Sequence, residues 1–156
     1  MPVIIEESEM RFGKYPDNSV FHLESSDQYT KSLRQNKVRS CEFVMLRKKK
    51  SRKRLIFVEA KRSLPEDYAA DTEEKASTLY QEFIQEITEK FRHSLHLFSG
   101  ILLGVQGQDG VPSDLLINDL KEYDFQIVLV VKTAKQERLI HYSDVLGQSL
   151  DRKSVV

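Results

Sequence analysis

A dense run of positive charge sits between two apolar stretches, and that arrangement leaves the middle of this chain few folds to choose from. Arg47-Lys48-Lys49-Lys50-Ser51-Arg52-Lys53-Arg54 contains a single uncharged residue. Such a run has nothing to bury and must face solvent. Its flanks do have something to bury. Val38 to Arg47 and Lys53 to Ala60 both read as strands, and the second contains Leu55-Ile56-Phe57-Val58, apolar without interruption. A strand sends alternate side chains to opposite faces, so an apolar run without alternation is covered on both. The basic run is therefore the turn of a hairpin whose second arm lies inside a sheet.

The rest of the chain supplies the cover. Leu79, Phe83, Ile84, Ile87, Phe91, Leu95 and Phe98 recur at helical spacing and predict a long helix from Thr72 to about Phe98. Ser25 or Ser26 is suited to cap a short helix running through Tyr29 and Leu33, with Asn36-Lys37 ending it. Val3-Ile4-Ile5 reads as a short strand. Phe12 to Asn18, with Gly13, Pro16 and Asp17, reads as loop, and so does the glycine-bearing stretch from Gly100 to Pro112. Phe125 to Val131 is a second buried strand, rich in β-branched residues, and Gln136 to Leu150 a closing helix. The expected order is helix, strand, strand, long helix, strand, helix. This is a mixed α/β domain with its central sheet flanked by helices on both sides. A chain of 156 residues has the size of one domain. Its core is expected over about 20–150, with 151–156 a frayed tail.

Charge and cysteine content narrow the function classes. Basic and acidic residues balance at 24 each, which argues against a globally basic protein that coats nucleic acid. It leaves room for local phosphate contact at the basic turn, for which a solvated hairpin tip is the plain alternative. The one cysteine, Cys41, excludes an internal disulfide framework and points to a core residue in a reducing cytoplasm. No secretory leader is legible, and no apolar run reaches the length that crosses a bilayer. A cytoplasmic protein without a membrane partner is expected.

The chemistry-bearing residues end the second strand. In Glu59-Ala60-Lys61 the acid and the lysine share one face. The chain has three other acid–any–Lys matches, Glu73-Glu74-Lys75, Asp119-Leu120-Lys121 and Asp151-Arg152-Lys153, and none of them ends an apolar strand. With the turn centred between Lys50 and Ser51, opposed residues sum to 101, so Glu42 falls opposite Glu59. Opposed Cβ atoms lie roughly 5 Å apart, near enough for two carboxylates to share a cation. Without one they would repel each other, the bland alternative being an ordinary cross-strand ion pair with Lys61. Hard oxygen ligands of this kind suit a metal that activates water, and a lysine beside them can orient that water or steady a phosphate. His22 and His141 join no motif. His93 and His96, though spaced as metal ligands can be, read as surface or helix-end residues.

Cys41-Glu42-Phe43-Val44, the basic hairpin and Ile56-Phe57-Val58-Glu59-Ala60-Lys61-Arg62-Ser63 together resemble the core of the PD-(D/E)XK, or restriction-endonuclease-like, superfamily. By element order the resemblance spans roughly Glu24 to Val131. By motif residues it rests on Glu42, Glu59 and Lys61, with Glu42 standing where the family usually has a proline-preceded aspartate. The resemblance implies an αβββαβ-type core and a nuclease that hydrolyses nucleic acid, DNA above all, with Mg2+ or Mn2+. It implies Glu42, Glu59 and the Ala60 carbonyl as metal ligands and Lys61 as the catalytic lysine. Many members add an acid from the first helix region, for which Glu24 is the candidate and Glu7 and Glu9 are rivals. Lys48, Lys49, Lys50, Arg52, Lys53 and Arg62 are the expected nucleic-acid contacts. A chain with no recognition domain added to this core leaves target selection to a homodimer or a partner protein. The competing reading is a non-catalytic module, the same fold kept as a scaffold or nucleic-acid-binding subunit of a larger complex.

Overall fold

The computed structural model describes residues 1–32, 38–65, 73–117, 119–133 and 136–153. Strands β1 (Val3–Glu7) and β2 (Met10–Tyr15) form an antiparallel pair. Then come β3 (Val20–Phe21), helix α1 (Asp27–Ser32), β4 (Phe43–Lys49), β5 (Arg52–Lys61), helix α2 (Glu73–Leu102), β6 (Tyr123–Val131) and helix α3 (Gln136–Lys153). The four later strands make one mixed sheet in the order β3-β4-β5-β6. β3, β4 and β5 run antiparallel, and β6 lies parallel to β5. A parallel neighbour needs a long crossover, which here contains α2. No helix among the described residues is long and apolar enough to cross a membrane.

The hairpin arithmetic holds along the whole ladder. Phe43 pairs with Val58, Val44 with Phe57, Leu46 with Leu55 and Lys49 with Arg52. Lys50 takes the left-handed conformation that the two-residue turn requires (φ 56°). β4 begins only at Phe43, however, so the strand expected from Val38 is shorter. Cys41 lies in the core as expected, its thiol pushed up to about 12 by burial and so kept protonated. Ser26, rather than Ser25, caps α1, accepting a hydrogen bond from the Tyr29 N–H at 3.2 Å. Leu33 and Asn36-Lys37 lie outside the described residues, as do 154–156, while α3 continues to Lys153, beyond the expected end at Leu150.

The expectation of helices on both sides of the sheet is corrected. Phe83, Ile84, Ile87, Phe91 and Phe98 of α2 pack with Tyr142 and Leu146 of α3 in one cluster with Val44, Leu46, Leu55 and Phe57. The other face, Phe43, Ile56 and Val58, meets Ile5, Phe12 and Tyr15 of the N-terminal hairpin. Phe12 to Tyr15, expected as loop, is therefore strand. Two features hid it. The turn uses Ser8 and Glu9 at positive φ (49° and 61°) where glycine or asparagine would be the usual signal. Gly13, which reads as a breaker, sits opposite the irregular stretch of β1 at φ 128°, where an added Cβ would lie 2.7 Å from the Val3 carbonyl oxygen. The element order also departs from expectation. The third antiparallel strand, β3, comes before the short helix α1, not after it.

Leu79, placed in the apolar stripe by its spacing, is 40% exposed, whereas Phe57 is fully buried edge-to-face against Phe98. Phe57→Ala is expected to lower unfolding free energy by about 3–5 kcal/mol in urea denaturation, and Leu79→Ala to change it by about 0.5 kcal/mol or less.

Candidate functional site

β5 ends on Glu59-Ala60-Lys61 and delivers Glu59 to the helical face of the sheet, where it is 0% exposed. Its Oε1 accepts a hydrogen bond from Lys90 Nζ of α2 at 2.7 Å and lies 3.9 Å from Lys61 Nζ. Lys61 in turn donates to Glu86 Oε1 at 2.7 Å, and Arg39 reaches the same oxygen at 3.2 Å. Glu86, on the polar side of α2, thus joins the site. Lys90 was not expected, although Ile87, Lys90, Phe91 and Ser94 follow helical spacing. A lysine on an apolar stripe is a legible sign of a buried charge.

Glu42 stands one residue beyond the last paired position of β4. Its N–H donates to the Val58 carbonyl at 3.0 Å, and its own carbonyl accepts from the N–H groups of Leu23 and Glu24 at 2.9 and 3.3 Å. Glu42 and Glu59 are therefore not a regular cross-strand pair. They still lie at one end of the sheet, with Glu24 brought in by that backbone bond and near enough for its carboxyl to help raise the Glu42 pKa. Ser94 fixes the approach to α2. Its hydroxyl donates to the Lys90 carbonyl at 2.6 Å and accepts from the Cys41 N–H at 2.7 Å, so the residue before Glu42 is tied to the turn that carries Lys90.

The hairpin covering the other face adds a third side. Ser8 Oγ donates to the Ala60 carbonyl at 3.0 Å, which engages one lone pair of an expected metal ligand. Glu9 is paired with Arg62 at 3.2 Å and Lys132 at 3.0 Å, and Lys132 above all holds its carboxyl below the usual range. Glu7 then lies 3.1 Å from His22 Nε2 (Oε1), and Glu7, His22 and Glu42 each offer a ligand atom within 4.8 Å of the others. Neither Glu7 nor His22 belongs to a sequence motif, because the tertiary docking of the hairpin creates the group.

The Glu7, His22 and Glu42 group could hold a cation. Glu42 is 6% exposed, and its Oε2 and that of Glu59 are buried without a hydrogen-bond partner. Burial first, then Glu24, Glu59 and Glu7, push the Glu42 carboxyl up to about 9. Burial also raises Glu59, against the opposing pull of Lys90 and Lys61. Burial works against the Lys90 ammonium too, but Glu59, with Glu42 and Glu24 beyond, raises its pKa above the ordinary value. Beside Lys90 a groove of about 400 Å³ opens, lined by Arg39, Glu86, Glu89 and His93 among others.

The basic turn lies at the other end of the hairpin. Lys53 and Glu59 are separated by six steps of β5, about 20 Å at the rise of a strand. Lys48 pairs with Asp114 at 3.8 Å, Arg52 with Asp124 at 3.4 Å, and Lys53 lies over the Tyr123 ring. Lys49 and Lys50 are exposed. Comparison with protein-family models, curated proteins and solved structures gave no match.

Two measurements test this geometry. The folded state holds a proton on Glu42 from pH 4.5 up to about 9 that the unfolded chain releases near 4.5. The metal-free protein is therefore expected to lose stability as pH rises through that window, and Glu42→Gln to flatten the loss in melting curves. Lys90→Met strands a buried carboxylate and is expected to cost about 3–5 kcal/mol, largely recovered by adding Glu59→Gln.

Proposed function

We propose that the chain is a metal-dependent nuclease that hydrolyses phosphodiester bonds of DNA at the Glu42–Glu59 end of the sheet. One observation carries the reading. Two buried carboxylates, each with an oxygen lacking any partner, meet at the end of a central strand beside a lysine. The arrangement of β4, β5, crossover helix α2 and parallel β6 supports the restriction-endonuclease-like reading of the motif. The early position of β3 is a departure from that order.

Mg2+ or Mn2+ held by Glu42 and Glu59, with Glu24 beside them, supplies a Lewis acid and lowers the pKa of bound water. The chain's own groups do the rest. Lys61 is only partly buried and lies 3.9 Å from Glu59, so its ammonium is placed to orient the attacking water or to steady charge on the phosphate. Glu86 holds it there and is itself paired with Arg39. Lys90 is a positioning residue: it opposes the effect of burial on the Glu59 carboxyl and holds Oε1 by a hydrogen bond. The exposed charges of the basic turn, with Arg62 nearer the site, attract and register the polyanion.

The Lys90–Glu59 ion pair favours one alternative, a non-catalytic scaffold or nucleic-acid-binding subunit, because a lysine already balances the buried acid. Incubation with plasmid, linear and single-stranded DNA in Mg2+ or Mn2+ separates the two. Cleavage that falls at least about 100-fold in Glu59→Ala and in Lys61→Ala is expected. An inactive wild type, or activity untouched by both changes, removes the nuclease reading. Calorimetry showing no Mg2+ or Mn2+ binding dependent on Glu42 and Glu59 establishes the alternative.

A further inference from the structure

We infer that Glu7, His22 and Glu42 form a second cation position, on the hairpin side of the shared Glu42, with mixed nitrogen and oxygen ligation. The three ligand atoms lie within 4.8 Å of one another, a spacing that lets them share one ion at ordinary coordination distances. A plain hydrogen bond accounts for part of this, since His22 Nε2 sits 3.1 Å from Glu7 Oε1. It does not account for Glu42. That side chain is buried, and its Oε2 lacks both solvent and a hydrogen-bond partner.

Lysine and arginine are engaged elsewhere. Among the described residues no lysine or arginine forms an ion pair with Glu7, Glu24 or Glu42. Lys90 and Lys61 are committed to Glu59 and Glu86 on the helical side. The neighbouring cations on the hairpin side, Arg62 and Lys132, are committed to Glu9. The hairpin turn is itself anchored by Ser8 on the Ala60 carbonyl and by Glu9, so Glu7 is delivered to a fixed place. An imidazole among the donors distinguishes this position from the all-carboxylate one. An imidazole suits Zn2+, carboxylates suit Mn2+, and Mg2+ keeps most of its waters, so a mixed set favours the first two over Mg2+.

The inference deepens the nuclease reading through the shared Glu42, yet its test reads ligation and not cleavage. Mn2+ is added to the full-length chain, with natural-abundance or 15N-labelled histidine, and pulsed electron paramagnetic resonance records nitrogen coupling to the metal. A histidine coupling is expected in the wild type and in Glu59→Ala, and is expected to vanish in His22→Ala. His22 is 36% exposed in its side chain, so that change spares the core. Mn2+ affinity is expected to fall at least about tenfold in Glu7→Gln and His22→Ala. Zn2+ should compete for the coupled ion more strongly than Mg2+ does. Mn2+ bound without nitrogen coupling, coupling that survives His22→Ala, or no Mn2+ binding by the wild type overturns the proposal. A coupled but cleavage-inactive protein overturns only the nuclease reading.

Discussion

A carboxylate without solvent contact, at the end of the most buried strand, is the constraint that organises this molecule. Removing an ion from water costs several kcal/mol unless partners replace the water. Glu59 receives such a partner from Lys90, and Lys90 is placed by α2. The helix must therefore cross the sheet where its lysine reaches the strand end. Packing enforces the same place, because Ile87 and Phe91 flank Lys90 in the stripe and are fully buried. Ser94, one turn on, binds the Cys41 N–H and brings Glu42 to the same end. One helix turn thus positions both carboxylates and neutralises one of them.

The two faces of the sheet contribute unequally to the chemistry. The helical side brings cations to Glu59. The hairpin side brings Glu7 and His22 to Glu42 and sequesters its own cations on Glu9. Glu42 stands at the boundary, and burial first, then the acids Glu24, Glu59 and Glu7, raises its carboxyl. The far end of β4 and β5 shows the opposite imbalance. Arg47 faces Arg54, Lys48 faces Lys53 and Lys49 faces Arg52, and like charges opposed across a ladder destabilise it. Asp114, Asp124 and the Tyr123 ring relieve part of that repulsion. Lys49 and Lys50 stay exposed at the tip.

Legibility in the sequence followed the range of the interactions. The β4–β5 register was readable because a two-residue turn between charged arms leaves one alignment that opposes Val44 to Phe57 and Leu46 to Leu55. The long helix was readable from period, except at Leu79, where spacing could not say that the stripe runs past the sheet. The N-terminal hairpin was not readable. Its turn uses left-handed serine and glutamate, and its glycine marks an irregular ladder rather than a loop. Missing the hairpin meant expecting a helix on that face and treating His22 as inert. Lys90 was missed for a different reason: the signal was present, a lysine within an apolar stripe, but the stripe was read as core alone.

The amino-acid sequence by itself determined which strand is buried, where the basic turn falls, and that Glu59 and Lys61 end that strand on one side. These are consequences of local geometry, the alternation of a strand and the turn of a helix, and they need no knowledge of distant contacts. Only the tertiary structure decided the rest. It placed Glu42 just beyond the ladder instead of directly across from Glu59, because its N–H and carbonyl bind Val58, Leu23 and Glu24. It chose Lys90 as the counter-charge and drew Glu7 and His22 to the same end of the sheet. Those residues meet across separations that no local pattern encodes, brought together by the burial of apolar faces on either side of one sheet.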